Sequence, residues 1–236
     1  MENVWMRPDQ PARGPRPAFS RAQLTEAALR VADAEGLDAI SMRRLATEIG
    51  SGTMSLYRYV TGKDEVIDLM VDAVAMDFLP PDVPSGDWRA DLRALAVQSR
   101  RTMHRHPWMA RVTATRQSAG PNGVRALDRS LAMVDGLGLS VDAMLAVVGS
   151  VIAYVNGYVA AELGEREARR RTGLDVQQWM ARQAPYIETL VKTGEYPLFA
   201  RVVTESGREL MDPDERFGYG LDRLLDGIAA SLPVSR

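Results

Sequence analysis

Hydrophobic residues recur at helical spacing along most of this chain, and the clearest case lies between residues 41 and 63. In residues 41–49 the apolar side chains fall at i, i+3, i+4 and i+7, which is the buried stripe of an amphipathic helix. These positions are Met42, Leu45, Ala46 and Ile49. Gly50 and Gly52 follow, and glycine adopts the left-handed conformation of a helix end at little steric cost. The pattern therefore predicts a short helix that ends in a glycine turn.

A second short helix is predicted over residues 53–60. Its inner side carries Leu56 and Val60, while Met54 and Arg58 point outward. The margins between the two sides carry Ser55 and Tyr57. Two short helices joined by a glycine turn form a helix-turn-helix, whose second helix enters the DNA major groove. The stretch is therefore a candidate DNA-reading unit.

Three flanking segments sharpen this interpretation, namely Ala27-Ala28-Leu29, Gly36 to Ser41 and Leu56 to Glu65. Together they resemble the DNA-binding domain of the tetracycline-repressor (TetR) family of bacterial regulators, from about Phe19 to Val74. The last helix, Phe217 to Ile228, is also similar to that of many family members. The resemblance implies a homodimer that binds a palindromic DNA operator, with a second domain that takes a small-molecule effector.

The predicted fold is all-α in two parts. Ser20 and Gln23 form a capping box before a first helix, and Thr61 to Asp64 repeats the capping pattern before helix 4. We expect a helix-turn-helix domain over 19–65, helix 4 over 63–79 as a connection, and a helical domain over 80–236. Further helices are predicted over about 87–104, 108–118, 124–135, 140–164, 175–192 and 213–231, with a turn at 120–123 and a solvated loop at 165–173.

Residues 1–18 are predicted to form a flexible basic arm. Their prolines exclude a continuous helix, and Arg7, Arg13 and Arg16 make the segment positive. Two interpretations stay open here. The arm is either a solvated tail or a segment that contacts phosphates or the minor groove beside the main DNA site.

The predicted DNA-binding set is Arg43, Thr53, Met54, Ser55, Tyr57, Arg58 and Lys63. Arg58 is the first candidate to read a base, because arginine can bind guanine O6 and N7 together. The hydroxyl side chains are expected on phosphates, and Arg43 could contact either a base or a phosphate. Lys63 begins helix 4, where backbone amides favour an anion such as a DNA phosphate. Arg44 is expected to be solvated or paired within the domain.

Residues 143–161 are 19 consecutive residues without a charge, which is long enough to consider a membrane span. They contain a row of small side chains at four-residue spacing, which lets another helix approach closely. The resemblance implies that this helix and the last one form the dimer interface, although both could be intrachain core. The predicted interface residues are Gly149, Ala153, Gly157, Ala161, Phe217, Leu221, Leu224, Leu225 and Ile228.

The second domain is expected to hold an effector pocket. Aromatic and methionine side chains outside regular stripes could line it with a few polar groups, although plain core is the commoner role for each residue of this kind. This set is Arg100, Met103, His104, Trp108, Met133, Tyr154, Tyr158 and Trp179. By resemblance, an apolar or amphipathic small molecule would bind there and shift helix 4, with release from DNA as the commoner result.

Composition narrows the remaining classes. There is no cysteine, and His104 and His106 would point to nearly opposite sides of a helix, so we expect no metal site. The sequence has no glycine-rich phosphate loop and no Gly-x-Ser-x-Gly, so we expect neither an enzyme nor a cofactor. We expect a cytoplasmic protein. The alternatives are a regulator controlled by a protein partner, or one anchored in a membrane through 143–161.

Overall fold

The computed structural model describes residues 4–7, 19–112, 120–205 and 211–233. Every regular element within these ranges is helical, so the predicted all-α class is confirmed. The α-helices are α1 (Arg21–Glu35), α2 (Met42–Ile49), α3 (Thr53–Leu56), α4 (Lys63–Ala75), α5 (Trp88–Arg105), α6 (Met109–Val112), α7 (Pro121–Ala132), α8 (Val141–Thr172), α9 (Val176–Lys192), α10 (Pro197–Glu205) and α11 (Pro213–Ser231). Short 3-10 helices lie at Val4–Met6, Leu37–Ala39 and Met76–Phe78.

Local capping decides where several of these helices begin. The Gln23 amide donates to Ser20 Oγ at 3.1 Å while the Ser20 amide donates to Gln23 Oε1 at 2.8 Å, so the predicted capping box is confirmed. At α4 the prediction was wrong in detail. Gly62 is the N-cap residue there, and the Thr61 amide donates to the Glu65 carboxylate at 2.6 Å.

Helix α8 is longer than predicted, because it continues through the expected loop at 165–173 and ends at Thr172. That prediction was wrong because the charges of the segment stabilise a helix as well as they solvate a loop. Glu167 pairs with Arg170 one turn away, and the last turn is basic, which complements the helix dipole.

The chain divides into two compact units, residues 1–159 with 231–236 and residues 160–230. In the first unit, α1 packs against α2 and α4, and α4 packs against α7. One hydrophobic core joins residues of α1 to α4 with Trp108, Met109 and Val112. In the second unit, α9 contacts α10. The predicted domain boundary at residue 80 stays a prediction.

Residues 4–7 differ from the flexible arm that the sequence predicted. Val4 is buried in the core of the first unit, Trp5 packs against that core, and Arg7 pairs with Glu65. The reason is the apolar triplet Val4-Trp5-Met6, which precedes the prolines that dominated the prediction. The rest of the predicted arm, residues 8–18, lies outside the described residues.

Candidate DNA-binding site

The turn between α2 and α3 is made by one glycine in the left-handed conformation. Gly50 ends α2 with φ 71° and ψ 36°, a conformation that strains other residues. Gly52 is extended, contrary to the prediction, and precedes α3. Helix α3 is also shorter than the predicted 53–60, since the chain tightens after Leu56 and the Tyr59 amide donates to the Leu56 carbonyl at 2.9 Å.

The two sides of this segment are nevertheless divided as predicted. Leu56 and Val60 are fully buried, whereas Met54 is 79% exposed and Arg58 is exposed. A third anchor, Tyr59, was missed by the sequence reasoning. Its hydroxyl donates to the Phe19 carbonyl at 2.6 Å, and its ring lies 4.9 Å from that of Phe19. These contacts fix the reading segment against the residues just before α1 and leave its outward side exposed.

Charged side chains behind this face are paired with one another. Arg44 contacts Glu35 at 2.7 Å and Glu48 at 3.0 Å, so the predicted intradomain pairing is confirmed. Arg30 also reaches Glu48, at 3.4 Å. The guanidinium of Arg44, followed by that of Arg30, holds the pKa of Glu48 below its usual value. These charges brace α1 against α2.

Arg43 and Arg58 differ from these paired side chains. Arg43 and Arg58 are exposed, and no carboxylate among the described residues forms a salt bridge with either of them. Tyr57 is exposed beside them, while Thr53 and Ser55 are half-buried. Of the six predicted residues from 43 to 58, four are therefore exposed and two are half-buried, and their contact with DNA stays a prediction.

Lys63 is placed differently from the other predicted DNA contacts. Its side chain is half-buried, and Nζ donates to the Leu37 carbonyl at 3.2 Å. This hydrogen bond uses one of the three ammonium donors and ties the start of α4 to the segment between α1 and α2. Lys63 therefore has a structural contact, and its role with a phosphate stays a prediction.

A second cluster joins the reading unit to the helices that follow it, and the sequence reasoning missed it. Asp33 Oδ1 lies 2.8 Å from His106 Nδ1 and accepts from Trp108 Nε1 at 2.8 Å. Arg111 donates to Asp38 at 2.7 and 3.1 Å, and this contact holds the pKa of Asp38 below its usual value. We call Asp33, Asp38, His106, Trp108 and Arg111 the aspartate clamp.

A further aspartate, Asp72 of α4, lies at the start of α7. Its buried carboxylate accepts from the Gly123 amide at 2.8 Å, which satisfies a donor of the helix end that its own N-cap, Gly120, leaves open. A Cβ on Gly120 would lie 2.3 Å from Asp72 Oδ1, so only glycine permits this approach. A cavity of about 730 Å³ opens between α1, α4 and this helix start, and none of the predicted effector residues lines it.

The predicted effector residues lie in several places. Arg100 lies over the Tyr158 ring at 5.6 Å, and the Tyr154 and Tyr158 rings are 5.9 Å apart, so these three come together. Met103 and Met133 are buried and His104 is half-buried in the same unit. Trp179 belongs to the other unit and is half exposed. Trp108 is built into the core of the reading unit, so its assignment to a pocket is replaced by its place in the clamp.

The predicted dimer residues fall into two groups. Gly149, Ala153, Gly157 and Ala161 are all exposed on α8. On α11, Leu224 is half-buried, whereas the rest of the predicted stripe is already buried within one chain, namely Phe217, Leu221, Leu225 and Ile228. Among the described residues α8 is the one helix long and apolar enough to cross a membrane, and 22% of its most apolar window is buried.

Paired helices, a glycine turn and exposed arginines define a helix-turn-helix DNA-binding protein. Residues 24–70 match the family description "Bacterial regulatory proteins, tetR family", and residues 80–232 match "Tetracyclin repressor-like, C-terminal domain". The chain therefore belongs to the TetR family, as the sequence predicted, and is a transcriptional repressor of that family.

Individual relatives match nearly the whole chain. The HTH-type transcriptional repressor DrrR1 of Streptomyces coeruleorubidus is 39% identical over 231 residues, which cover 97% of this chain and 84% of that protein. Crystal structures of the Streptomyces coelicolor TetR family protein ActR in complex with (S)-DNPA and with actinorhodin are 27% and 26% identical. Each superposition has a TM-score of 0.74 and covers 92% of this chain and 99% of the ActR chain.

Proposed function

We propose that this protein is a ligand-responsive repressor that binds a palindromic operator as a homodimer and is released by a small apolar or amphipathic effector. The observation that carries the proposal is that Arg43 and Arg58 are exposed and have no carboxylate partner among the described residues. The neighbouring Arg44, in contrast, pairs with Glu35 and Glu48. A helix-turn-helix offers its second helix to the major groove, and two copies at one helical turn of spacing read a palindrome.

Each residue of the outward face has a proposed task. Arg58 reads a guanine through its two parallel donors. Thr53, Ser55 and Tyr57 hold phosphates and fix the register of α3 on the duplex. Lys63 adds a phosphate contact with the donors that its bond to Leu37 leaves over. Arg43 contacts a phosphate or a base at the start of α2.

Helix α8 supplies the proposed contact between two copies of the chain. Its valines at 148, 151, 155 and 159 are buried, while the small-residue row on another side is exposed. Nothing lies within 4 Å of a Cβ built at Gly149 or Gly157, so this row leaves room for a second helix at close distance. We propose that the partner's α8 packs there, while Leu224 of α11, which is half-buried, stays a predicted interface residue.

The proposed effector site centres on Arg100, Tyr154 and Tyr158. Two rings and a guanidinium form a surface that suits a flat or amphipathic molecule with a polar group near Arg100. Met103, Met133 and His104 extend the set. ActR in complex with actinorhodin supports a small-molecule effector for this chain, because that protein is of the same family and similar fold.

The clamp and Asp72 provide a path from this domain to the reading helices. Asp33 and Asp38 hold residues 106–111 against the end of α1 and the turn after it, and Asp72 holds the start of α7 on α4. We propose that effector binding displaces these elements and with them α4. A coupling free energy of about 1–3 kcal/mol lowers operator affinity roughly five- to 150-fold, which is enough for a switch.

The test begins with selection of duplexes from a random library by the purified protein, together with its mass in solution by light scattering. A dimer that selects an inverted repeat, and that loses affinity for it when actinorhodin or a related compound is added, supports the proposal. A monomer without sequence preference contradicts it. Purification with and without detergent tests the alternative that the exposed apolar side of α8 enters a membrane. A membrane-anchored protein would need detergent to stay in solution.

A further inference from the structure

One side chain on the reading face is chemically unlike its neighbours. Met54 is 79% exposed at the second position of α3, where Thr53 and Ser55 flank it with hydroxyl groups. The inner side of the segment is already filled by Leu56, Val60 and Tyr59, so packing does not require an apolar residue at position 54. Its thioether therefore faces whatever the α2–α3 surface binds.

Position along the helix decides what Met54 can reach. Recognition helices of helix-turn-helix proteins contact base edges with their N-terminal residues, and Met54 lies in the first turn of α3. Among the groups that base pairs display in the major groove, the C5 methyl of thymine is the apolar one. Methionine is unbranched, flexible and polarizable, so it can follow such a methyl group without strain.

We propose that Met54 is a specificity-determining residue that selects thymine by contact with its C5 methyl group. The inference rests on the proposed DNA-binding function and adds a base to it. Arg58, four residues further along, is also exposed and supplies the polar contact to a guanine. A half-site would then contain a thymine read through its methyl group within a few base pairs of a guanine read through hydrogen bonds.

The experiment removes the methyl group from the DNA and leaves every hydrogen-bonding group in place. A duplex selected from a random library by the wild-type protein is resynthesised with each thymine in turn replaced by deoxyuridine, and dissociation constants are measured by fluorescence anisotropy. At one thymine of each half-site, deoxyuridine should weaken wild-type binding about fourfold, the value of one buried methylene-sized group. The variant Met54→Ala should bind the thymine and deoxyuridine duplexes equally.

A matched control is Met6→Ala, because Met6 is 76% exposed in the same unit but lies outside α3. This variant should keep the wild-type preference for thymine, and so should Met54→Leu. Melting curves verify that both alanine variants stay folded. If the wild type selects no sequence, the proposed function itself fails. If it selects a sequence but Met54→Ala keeps the fourfold loss, or no deoxyuridine weakens the wild type, the role of Met54 alone is contradicted.

Discussion

The aspartate clamp and the exposed surface around α2 and α3 differ in whether their charged side chains are paired. In the clamp, two carboxylates of the reading unit accept from three side chains between residues 106 and 111. On the outward face, Arg43 and Arg58 point away from the protein and meet no carboxylate among the described residues. Charges are paired where the clamp holds the protein's own elements together, and the two arginines for which we propose contacts with DNA have no such partner within the described residues.

Adjacent residues show the same contrast at the smallest scale. Arg43 and Arg44 follow each other on α2, yet Arg44 is held by Glu35 and Glu48 while Arg43 extends from the surface. Successive helical residues point in directions about 100° apart, so one faces α1 and the other does not. The two residues have the same side chain, and only the geometry separates the paired arginine from the exposed one for which we propose a contact with DNA.

The largest effect should follow from removing the support of the outward face. Leu56→Ala deletes a fully buried side chain and should lower the free energy of unfolding by about 2–5 kcal/mol in urea denaturation. Met54→Ala, two residues away and exposed, should leave that free energy nearly unchanged. Equal losses for the two variants would contradict the assignment of inner and outer sides.

Breaking the clamp should be the next largest effect. Asp33→Ala leaves the buried His106 and Trp108 without their acceptor, which should cost about 1–3 kcal/mol for each donor left unsatisfied. Asp33→Asn keeps one acceptor oxygen and should lose less. We further expect that the alanine variant binds operator DNA but responds weakly to effector, measured as the ratio of dissociation constants with and without it. An unchanged ratio would remove the clamp from the coupling path.

Arg43 allows a finer test of the exposed charges. If it holds a phosphate, Arg43→Ala should weaken binding to all duplexes alike and reduce the slope of log affinity against log salt by about 0.9. Arg223→Ala removes the same charge from α11 and should leave the slope as it is. A relaxed preference at one base pair would instead assign Arg43 to base reading, and no effect of either kind would exclude it from the interface.

The smallest effect concerns the ion pair between Arg7 and Glu65, and we expect it at acidic pH. Burial raises the pKa of Glu65, but the hydrogen bonds from Arg7 and Thr61 outweigh it and hold the pKa below the ordinary value of 4.5. Because the folded state resists protonation, this contribution to stability is complete above pH 4.5 and is lost as the pH falls through the lower folded value. Glu65→Gln should flatten the fall of the melting temperature in that range. Parallel curves for both proteins would show that the Arg7 contact does not stabilise the fold.

Local patterns explain what the sequence could predict. The apolar stripe that contains Leu45 and Ala46 and the capping box at Ser20 depend on residues within one or two turns, so α1 and α2 were predicted nearly in place. The inner and outer sides of the reading segment followed from the same spacing. The TetR resemblance rested on these local features and was confirmed by the family match.

What the sequence could not show depends on distant partners. Asp33 meets His106 and Trp108 at separations of 73 and 75 residues, and no local spacing points from one to the others. Trp108 was therefore assigned to a pocket, since a tryptophan outside a regular stripe gives no sign of which acceptor its indole N–H will find. The anchor of Tyr59 on Phe19 was missed for the same reason, at a separation of 40 residues.

The most direct test of the central claim is the base preference of Arg58→Ala. Affinities of the wild type and this variant are measured for the selected duplex and for duplexes with each guanine of the half-site changed in turn. The wild type should discriminate against one such change by about 1–3 kcal/mol, and the variant should bind both duplexes equally while keeping the wild-type melting temperature. Wild-type affinity and preference in the folded variant would contradict the claim that Arg43 and Arg58 belong to the DNA-reading surface.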